Sequence, residues 1–431
     1  MRVAVYTLGC KLNQAESEDL CDRLEQQGFD VVSPLEAADV YLANTCTVTH
    51  VADRKARHWL RLQRRRHPEA FLVASGCYVE RATADLRELA DLLVGNRHKH
   101  HLPGLLNSLA GEGAGPVAEA REREQGVGAR AAGRADGNRR VRSLVKIQDG
   151  CEGSCSYCIV PEVRPWETSV SPDTVLDQVR RRTESGYREV VLTGTRVGSY
   201  SYDGLGLREL LMRVLAETDV ERLRLSSLQP REVTDALLQL WQDRRVCRHL
   251  HLSLQSGSDG VLRRMRRGYT VDKYRRTLEL IRRRVPDVAV TTDLIVGFPG
   301  ETEDDFEESL RTCEEFGFSR VHVFPYSARP GTAAAGMEPQ VDEKTKRWRV
   351  QRALDLAERA ARHYRERFVG QIMPVLWEAE TAPGRGIYSG LTDNYLRVEA
   401  RSDVPMTNTI APAKVCGSRD STLYGELVHE T

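Results

Sequence analysis

Residues 148–162 read QDGCEGSCSYCIVPE and set Cys151, Cys155 and Cys158 in a loop of Gly, Ser and Asp. Three thiols are too many for one disulfide and one short of a closed structural zinc site, which takes four ligands. The run just before the loop, SLVKIQ, reads as a strand. It opens a series of candidate strands: REVVLTG, RLRLSS, HLHLSL, VAVTTDLIVG and RVHVFPY. Helices are expected between them over 172–186, 206–217, 231–241, 272–284 and 303–316. Six β/α units in succession describe a barrel or partial barrel, whose chemistry sits at the carboxyl ends of the strands. The cysteine loop follows the first strand directly, where a catalytic loop belongs.

Upstream, RVAVYTL, DVYLANT and AFLVASG are short apolar runs of the kind that form buried parallel strands. Between the first two lies NQAESEDLCDRLEQQG, a helical stretch that closes on Gly28. This is a doubly wound α/β pattern. Its three strands run into Gly9-Cys10, Thr45-Cys46 and Gly76-Cys77. Ligands of open α/β sheets bind outside the carboxyl ends of the strands, so these cysteines are expected to converge despite their separation.

The 431 residues suffice for two or three domains, and a net charge of +1 gives no global attraction to nucleic acid or membrane. No apolar run reaches the roughly 18 residues of a membrane span. The start, MRVAVYTLGC, lacks the features of a signal peptide, so a cytoplasmic location and no membrane partner are expected. In that compartment ten cysteines are not a disulfide framework. Cys21, Cys247, Cys313 and Cys416 lie in helix- or strand-like sequence and read as small buried hydrophobes.

Residues 111–142 are rich in Gly, Ala and Arg without apolar periodicity and read as a linker; from 119 to 142 there are seven Arg against four acidic residues. After a long charged helix at 342–367, QIMPVLWEAE, GIYSGLTDNYLRVEA and TLYGELVHE describe a small all-β module. The expected organisation is an α/β domain at 1–110, the linker at 111–142, a partial barrel with its closing helix at 143–367, and a β-barrel at 368–431.

Three thiolates can bind three irons of a cubane cluster. Structural zinc would want a fourth Cys or His nearby, and none follows. Catalytic zinc with three cysteines and a water is less favoured, because thiolate charge weakens its Lewis acidity.

Cys-x-x-x-Cys-x-x-Cys with Tyr157 before its last cysteine resembles the signature of radical S-adenosylmethionine (SAM) enzymes. The resemblance implies a [4Fe-4S] cluster whose fourth iron chelates the amino and carboxylate groups of SAM, which is then cleaved reductively to a 5′-deoxyadenosyl radical. TLGCKLNQAESE, NTCTVTHVADRKAR and SGCY resemble the N-terminal domain of methylthiotransferases, and the C-terminal module resembles their TRAM barrel, which holds RNA. Further matching stretches are VVLTGTRVGSY, RLRLSSLQP, LSLQSGSDGVLRRMRRGYT, TDLIVGFPGETEDDF and VFPYSARPGTAA. The match spans nearly the whole chain. It implies a second [4Fe-4S] cluster on Cys10, Cys46 and Cys77, two SAM molecules, tRNA as partner, and an electron donor such as flavodoxin or ferredoxin, with the sulfur donor unassigned. The wording NTCTVT, IQDGC and GTRVGSY is most similar to the branch that converts N6-threonylcarbamoyladenosine beside the tRNA anticodon, at position 37, to its 2-methylthio derivative. Alternatives are the isopentenyladenosine branch, the branch acting on a ribosomal-protein aspartate, and a non-catalytic metal-dependent RNA-binding protein.

The resemblance further implies that Tyr157 belongs to the cofactor site and that Thr193, Gly194 and Thr195 line the SAM amino-acid end. It puts Ser227, Gln255 and Gly257 near the ribose, and Gly297 and Phe298 near the adenine. Arg266 and Arg267 are expected at the substrate. The basic runs 61–67 and 281–284 read first as solvated helix faces. Three departures from the family pattern stand out: Pro165 replaces glycine after Arg164, Gln229 replaces an acidic residue, and 368–431 counts five Lys/Arg against eight Asp/Glu.

Overall fold

In the computed structural model the described residues are 1–111 and 141–428. The expected linker, apart from residues 111, 141 and 142, lies outside them. Two compact units are present, one of Met1–Gly137 with Ile159–Pro165, the other of Asn138–Cys158 with Trp166–Thr431. The first unit therefore takes in a short segment that lies within the stretch 143–367.

In the first unit, β1 (Arg2–Thr7), β2 (Asp30–Val32), β3 (Val40–Thr45), β4 (Phe71–Gly76) and β5 (Leu92–Val94) form a parallel sheet in the order β2-β1-β3-β4-β5. Every residue of β3 is buried, as a central strand covered on both faces requires. The sequence reading misses β2 and β5, three residues each and too short to show a period. Between β1 and β2 runs the helix α1 (Lys11–Gln26), and Gly28 follows it at φ +85°. The helix α2 (His50–Arg66) is capped by Thr49, whose hydroxyl accepts the Ala52 N–H at 3.2 Å. Its Ala56, Trp59 and Leu60 are buried, with Trp59 stacked on Tyr6 at 4.7 Å.

In the second unit, strands Arg142–Lys146, Glu189–Thr193 and Arg222–Leu225 pair in parallel, and Ser227–Leu228, His249–Leu252, Ala289–Val296 and Arg320–Pro325 continue the arc. The third strand is interrupted at Ser226, so six parallel β/α strands form the expected partial barrel. Helices Pro172–Glu184, Leu207–Glu217, Val271–Arg284 and Glu303–Phe316 cover it. The helix expected at 231–241 is instead three short turns, Pro230–Glu232, Asp235–Leu238 and Gln239–Gln242, because Thr234 caps a new start within it. The long helix Glu343–Glu366 packs along Arg320–Pro325.

The C-terminal module is a closed five-strand barrel: Ile372–Glu380, Ile387–Thr392, Arg397–Arg401, Thr422–Leu427 and Thr409–Arg419 in spatial order. Trp377, Val375, Val398, Val415 and Leu423 fill it. Its seat in the second unit is polar. Arg222 donates to the Leu391 and Pro374 carbonyls, both at 2.9 Å, and Arg248 grips the Asp393 carboxylate at 2.6 Å. Tyr395, at φ +67°, stacks on His249 at 4.4 Å and carries the Arg224 guanidinium over its ring. Arg224 in turn pairs with Glu189, both fully buried, at 2.7 Å.

Candidate metal centres and cofactor site

The sheet order puts β1, β3 and β4 side by side, with Thr7 opposite Asn44 and Thr45 opposite Gly76. Cys10, Cys46 and Cys77 lie just past the carboxyl ends of these strands, so they share one edge of the sheet. Electrostatics shows the same convergence. Burial pushes the Cys46 thiol up to about 12, the Val48 N–H opposes this, and Cys10 and Cys77 each raise it further. Close approach depends on two glycines in the left-handed region. A Cβ on Gly9 (φ +115°) would lie 2.6 Å from Cys46 Cβ and 3.0 Å from its Sγ. One on Gly76 (φ +106°) would lie 2.3 Å from the Thr45 carbonyl oxygen.

Buried amides brace this edge. Asn13 Nδ2 donates to the Leu8 and Thr45 carbonyls at 2.8 and 3.1 Å, tying the turn before Cys10 to the one before Cys46. Asn44 Nδ2 returns to the Asn13 carbonyl at 2.8 Å. Donors also face the sulfurs: Val48 N–H to Cys46 Sγ at 3.5 Å, Arg164 Nε–H to Cys77 Sγ at 3.3 Å, and Asn96 Nδ2 to the same sulfur at 3.6 Å. N–H groups aimed at sulfur suit thiolates, the form that ligates metal.

In the second unit Cys151, Cys155 and Cys158 follow the first barrel strand on a loop pinned at several points. Gly150 N–H donates to Thr195 Oγ1 at 3.2 Å, and Gln148 Nε2 to the Gly150 carbonyl at 2.8 Å. Ser156 is held at both ends of its backbone, by the Met265 carbonyl at 3.1 Å and the Ala334 N–H at 2.8 Å. Here too N–H groups face sulfur: Gly153 N–H to Cys151 at 3.3 Å and Arg267 Nη1 to Cys155 at 3.3 Å. A Cβ on Gly153 would come within 3.0 Å of Cys151 Sγ. Burial raises the Cys151 thiol, and it raises the Tyr157 phenol well above its usual range.

All six cysteines are free thiols. Among the described residues, no three His, Cys, Asp or Glu side chains are set to ligate one metal ion. A cubane asks for something different, since each thiolate takes its own iron. Two sets of three free thiols, faced by N–H donors and left room by glycine, fit that group.

The other expected site residues lie at strand ends of the second unit in varied settings. Thr193 ends its strand buried, with Gly194 and Thr195 half-buried after it, and Ser227 is exposed at the strand interruption. Gln255, at φ +68°, exchanges backbone hydrogen bonds with Asp293 and Ile295. Gly257 is required by packing, because a Cβ there would meet the Ser309 Cα at 2.7 Å; Gly297, at φ +73°, has Lys346 Cγ at 2.4 Å. Phe298 is fully buried in a cluster with Val261, Met265, Tyr326 and Ala334. Arg266 is exposed at φ +56°, while Arg267 turns to Cys155 and stacks on Tyr269. Where Gln229 departs from the acidic pattern, Glu232 follows; it accepts the Gln229 N–H at 2.8 Å and pairs with Arg196 at 2.7 Å.

Sequence reading did not assign Arg164, Asn13, Asn96, Gln148 or Arg196. Asn13 stands inside TLGCKLNQAESE, Gln148 opens QDGCEGSCSYCIVPE, Arg196 stands inside VVLTGTRVGSY and Arg164 beside the unusual Pro165, but nothing in the pattern tells what they touch.

The comparisons with known proteins agree with this geometry. Residues 145–313 match the radical SAM superfamily, and residues 2–95 match a family described as uncharacterized protein family UPF0004. The threonylcarbamoyladenosine tRNA methylthiotransferase MtaB of Bacillus subtilis (strain 168) is 34% identical over 429 residues, covering 96% of this chain and 93% of the relative. The chain belongs to the radical SAM tRNA methylthiotransferases. The Aquifex aeolicus (strain VF5) protein of the same name is 35% identical, covering 93% of this chain and 96% of that protein. A tRNA-2-methylthio-N(6)-dimethylallyladenosine synthase of Syntrophotalea carbinolica is 33% identical, covering 98% of each. In fold, a radical SAM methyltransferase, TsrM of Kitasatospora setae, solved with cobalamin and a [4Fe-4S] cluster, aligns at a TM-score of 0.57 and 16% identity over 78% of this chain and 74% of that one. For a radical SAM methylthiotransferase, SAM and a [4Fe-4S] cluster follow from membership. No helix among the described residues is long and apolar enough to cross a membrane.

Proposed function

We propose that this protein is a tRNA methylthiotransferase that converts N6-threonylcarbamoyladenosine, at position 37 of tRNA, to its 2-methylthio derivative. The observation that carries the reading is the presence of two separate sets of three free cysteines, one at the sheet edge of the first unit and one on the loop of the second. Cys151, Cys155 and Cys158 would hold the cluster that binds SAM, and Cys10, Cys46 and Cys77 a second [4Fe-4S] cluster that handles the sulfur. The clusters supply one-electron and sulfur chemistry, which acid–base groups alone could not bring to an aromatic C–H carbon.

The chain's own residues hold and shield. Gln148, Thr195 and Ser156 fix the loop, and Arg267 sets a cation against the sulfur of Cys155. Tyr157, Thr193, Gly194, Thr195, Ser227, Gln255 and Gly257 would line the SAM side, with Gly297 and Phe298 supporting it from behind. Arg266, exposed beside the loop, is a candidate for tRNA phosphate. An external reductant such as flavodoxin or ferredoxin would feed the clusters. The threonylcarbamoyladenosine substrate is supported by the names of the relatives from Bacillus subtilis and Aquifex aeolicus. The 33% identity to the dimethylallyladenosine synthase favours a test that separates the two substrates.

That test is nucleoside mass spectrometry of tRNA incubated anaerobically with reconstituted enzyme, SAM and dithionite. Appearance of 2-methylthio-threonylcarbamoyladenosine is the expected result. A 2-methylthio-isopentenyl product, or none from either tRNA, would overturn the reading.

A further inference from the structure

Arg164 is 2% exposed and lies in Ile159–Pro165, the segment that packs within the first unit. Its guanidinium is used on several sides. Nη1 and Nη2 grip the two oxygens of Glu16 at 2.7 and 2.9 Å, Nη2 also reaches Asn13 Oδ1 at 3.3 Å and Asn96 Oδ1 at 3.1 Å, and Nε–H points at Cys77 Sγ over 3.3 Å. Asn96 further donates to the Val163 carbonyl at 3.1 Å, which fixes the segment that carries the arginine.

A buried, bidentate Arg–Glu pair alone would be neutral and could be purely architectural. Two features exceed that role. Glu16 is also bound by Lys99, so its carboxylate is shared between two cations and does not belong to Arg164 alone. The remaining Nε–H faces a cysteine sulfur, a weak acceptor as a thiol and a far better one as a thiolate. An arginine N–H on a cysteine sulfur recurs in the second unit, where Arg267 Nη1 faces Cys155 while its Nε donates to the Tyr269 hydroxyl. Hydrogen bonds to sulfur and net charge are among the factors that set the potential of an iron–sulfur cluster.

We infer that Arg164 is a positioning residue for the N-terminal cluster, whose N–H···S contact and charge favour the reduced state of that cluster. One-electron reduction adds one negative charge and breaks no bond, so a fixed cation and an N–H donor stabilise the product over the reactant. The inference rests on the cluster reading given under Proposed function. It also gives the segment after Cys158 a purpose: the peptide that leaves the last loop cysteine delivers this arginine to the first unit.

The test uses the full chain with Cys151, Cys155 and Cys158 replaced by Ala, so that only the N-terminal cluster is seen. Its midpoint potential is read by titration with dithionite, followed by electron paramagnetic resonance. Arg164→Gln should shift the midpoint to more negative values, and Arg164→Lys should shift it less. Glu16→Gln removes the compensating carboxylate and should shift it the opposite way. A packing defect would lower iron content in all three without reversing sign. Unchanged midpoints in both Arg164→Gln and Glu16→Gln overturn the inference. Should Arg164→Gln take up no iron, Arg164→Lys and Glu16→Gln carry the test, and no shift in either overturns it. A parent that takes up no iron before any change at 164 overturns the cluster reading itself, and the inference with it.

Discussion

Cys151, Cys155 and Cys158 stand within eight residues on one loop, whereas Cys10, Cys46 and Cys77 come from the ends of three strands. The loop set is half-buried; in the strand-end set Cys46 and Cys77 are buried and Cys10 is exposed. On the loop, the three cysteines stand on one short segment, and the surrounding barrel pins it at its start through Gln148 and Thr195 and in its middle through Ser156. At the strand ends nothing local gathers them. The order β2-β1-β3-β4-β5, the positive-φ glycines and the Asn13 and Asn44 amides do so. A contiguous site tolerates change in its surroundings, while a discontinuous one depends on the register of a whole sheet.

The largest expected effect comes from emptying one set at a time. Replacing Cys151, Cys155 and Cys158 by Ala should abolish reductive cleavage of SAM to 5′-deoxyadenosine. Replacing Cys10, Cys46 and Cys77 should leave that cleavage in place and abolish the methylthio product. Each triple variant should lose about half the iron of the reconstituted parent, if each set holds one cubane. Loss of SAM cleavage in both would break the separation of roles.

Next comes glycine. Gly76→Ala forces a side chain into the left-handed region and against the Thr45 backbone, and should cost at least about 2 kcal/mol. Iron bound by the first unit should fall with it. Gly153→Ala meets only a sulfur at 3.0 Å, carries no positive φ, and should cost less than about 1 kcal/mol. Denaturant unfolding and iron content read both; equal effects would mean that the loop is as constrained as the sheet edge.

Asn13→Ala should have a smaller effect, about 1–3 kcal/mol, because it strands two carbonyls that the amide now satisfies. Its signature is loss of N-terminal iron in a chain that still cleaves SAM. The smallest change expected is from Thr195→Val, which removes one hydrogen bond to the loop and should cost about 0.5–1.5 kcal/mol. A large loss of SAM cleavage there, with iron retained, would assign Thr195 a direct part in the SAM site.

Much of the fold was legible because it is periodic. The strands around DVYLANT and VAVTTDLIVG, and the helices near 172–186, 272–284 and 303–316, lie within a few residues of where the pattern puts them. What escaped was short or irregular. Asp30–Val32 and Leu92–Val94 give no period, and Thr409–Arg419, the longest strand of the C-terminal barrel, carries Pro412 opposite Pro374 and a register shift near Val415. The acidic module remains consistent with its seat, since Asp393 and Glu378 are taken up by Arg248 and Arg142 of the same unit.

By itself the sequence pointed to the chemistry of the loop, because three thiols on one short segment need only a local turn to share a site. It also marked the strand-end cysteines through the glycines and threonine beside them. Only the tertiary structure decided that β1, β3 and β4 are neighbours, that Arg164 turns to Cys77, and that Arg267 turns to Cys155. Those facts follow from strand order, register and burial, which are set by contacts between residues far apart in the chain and leave no trace in local pattern.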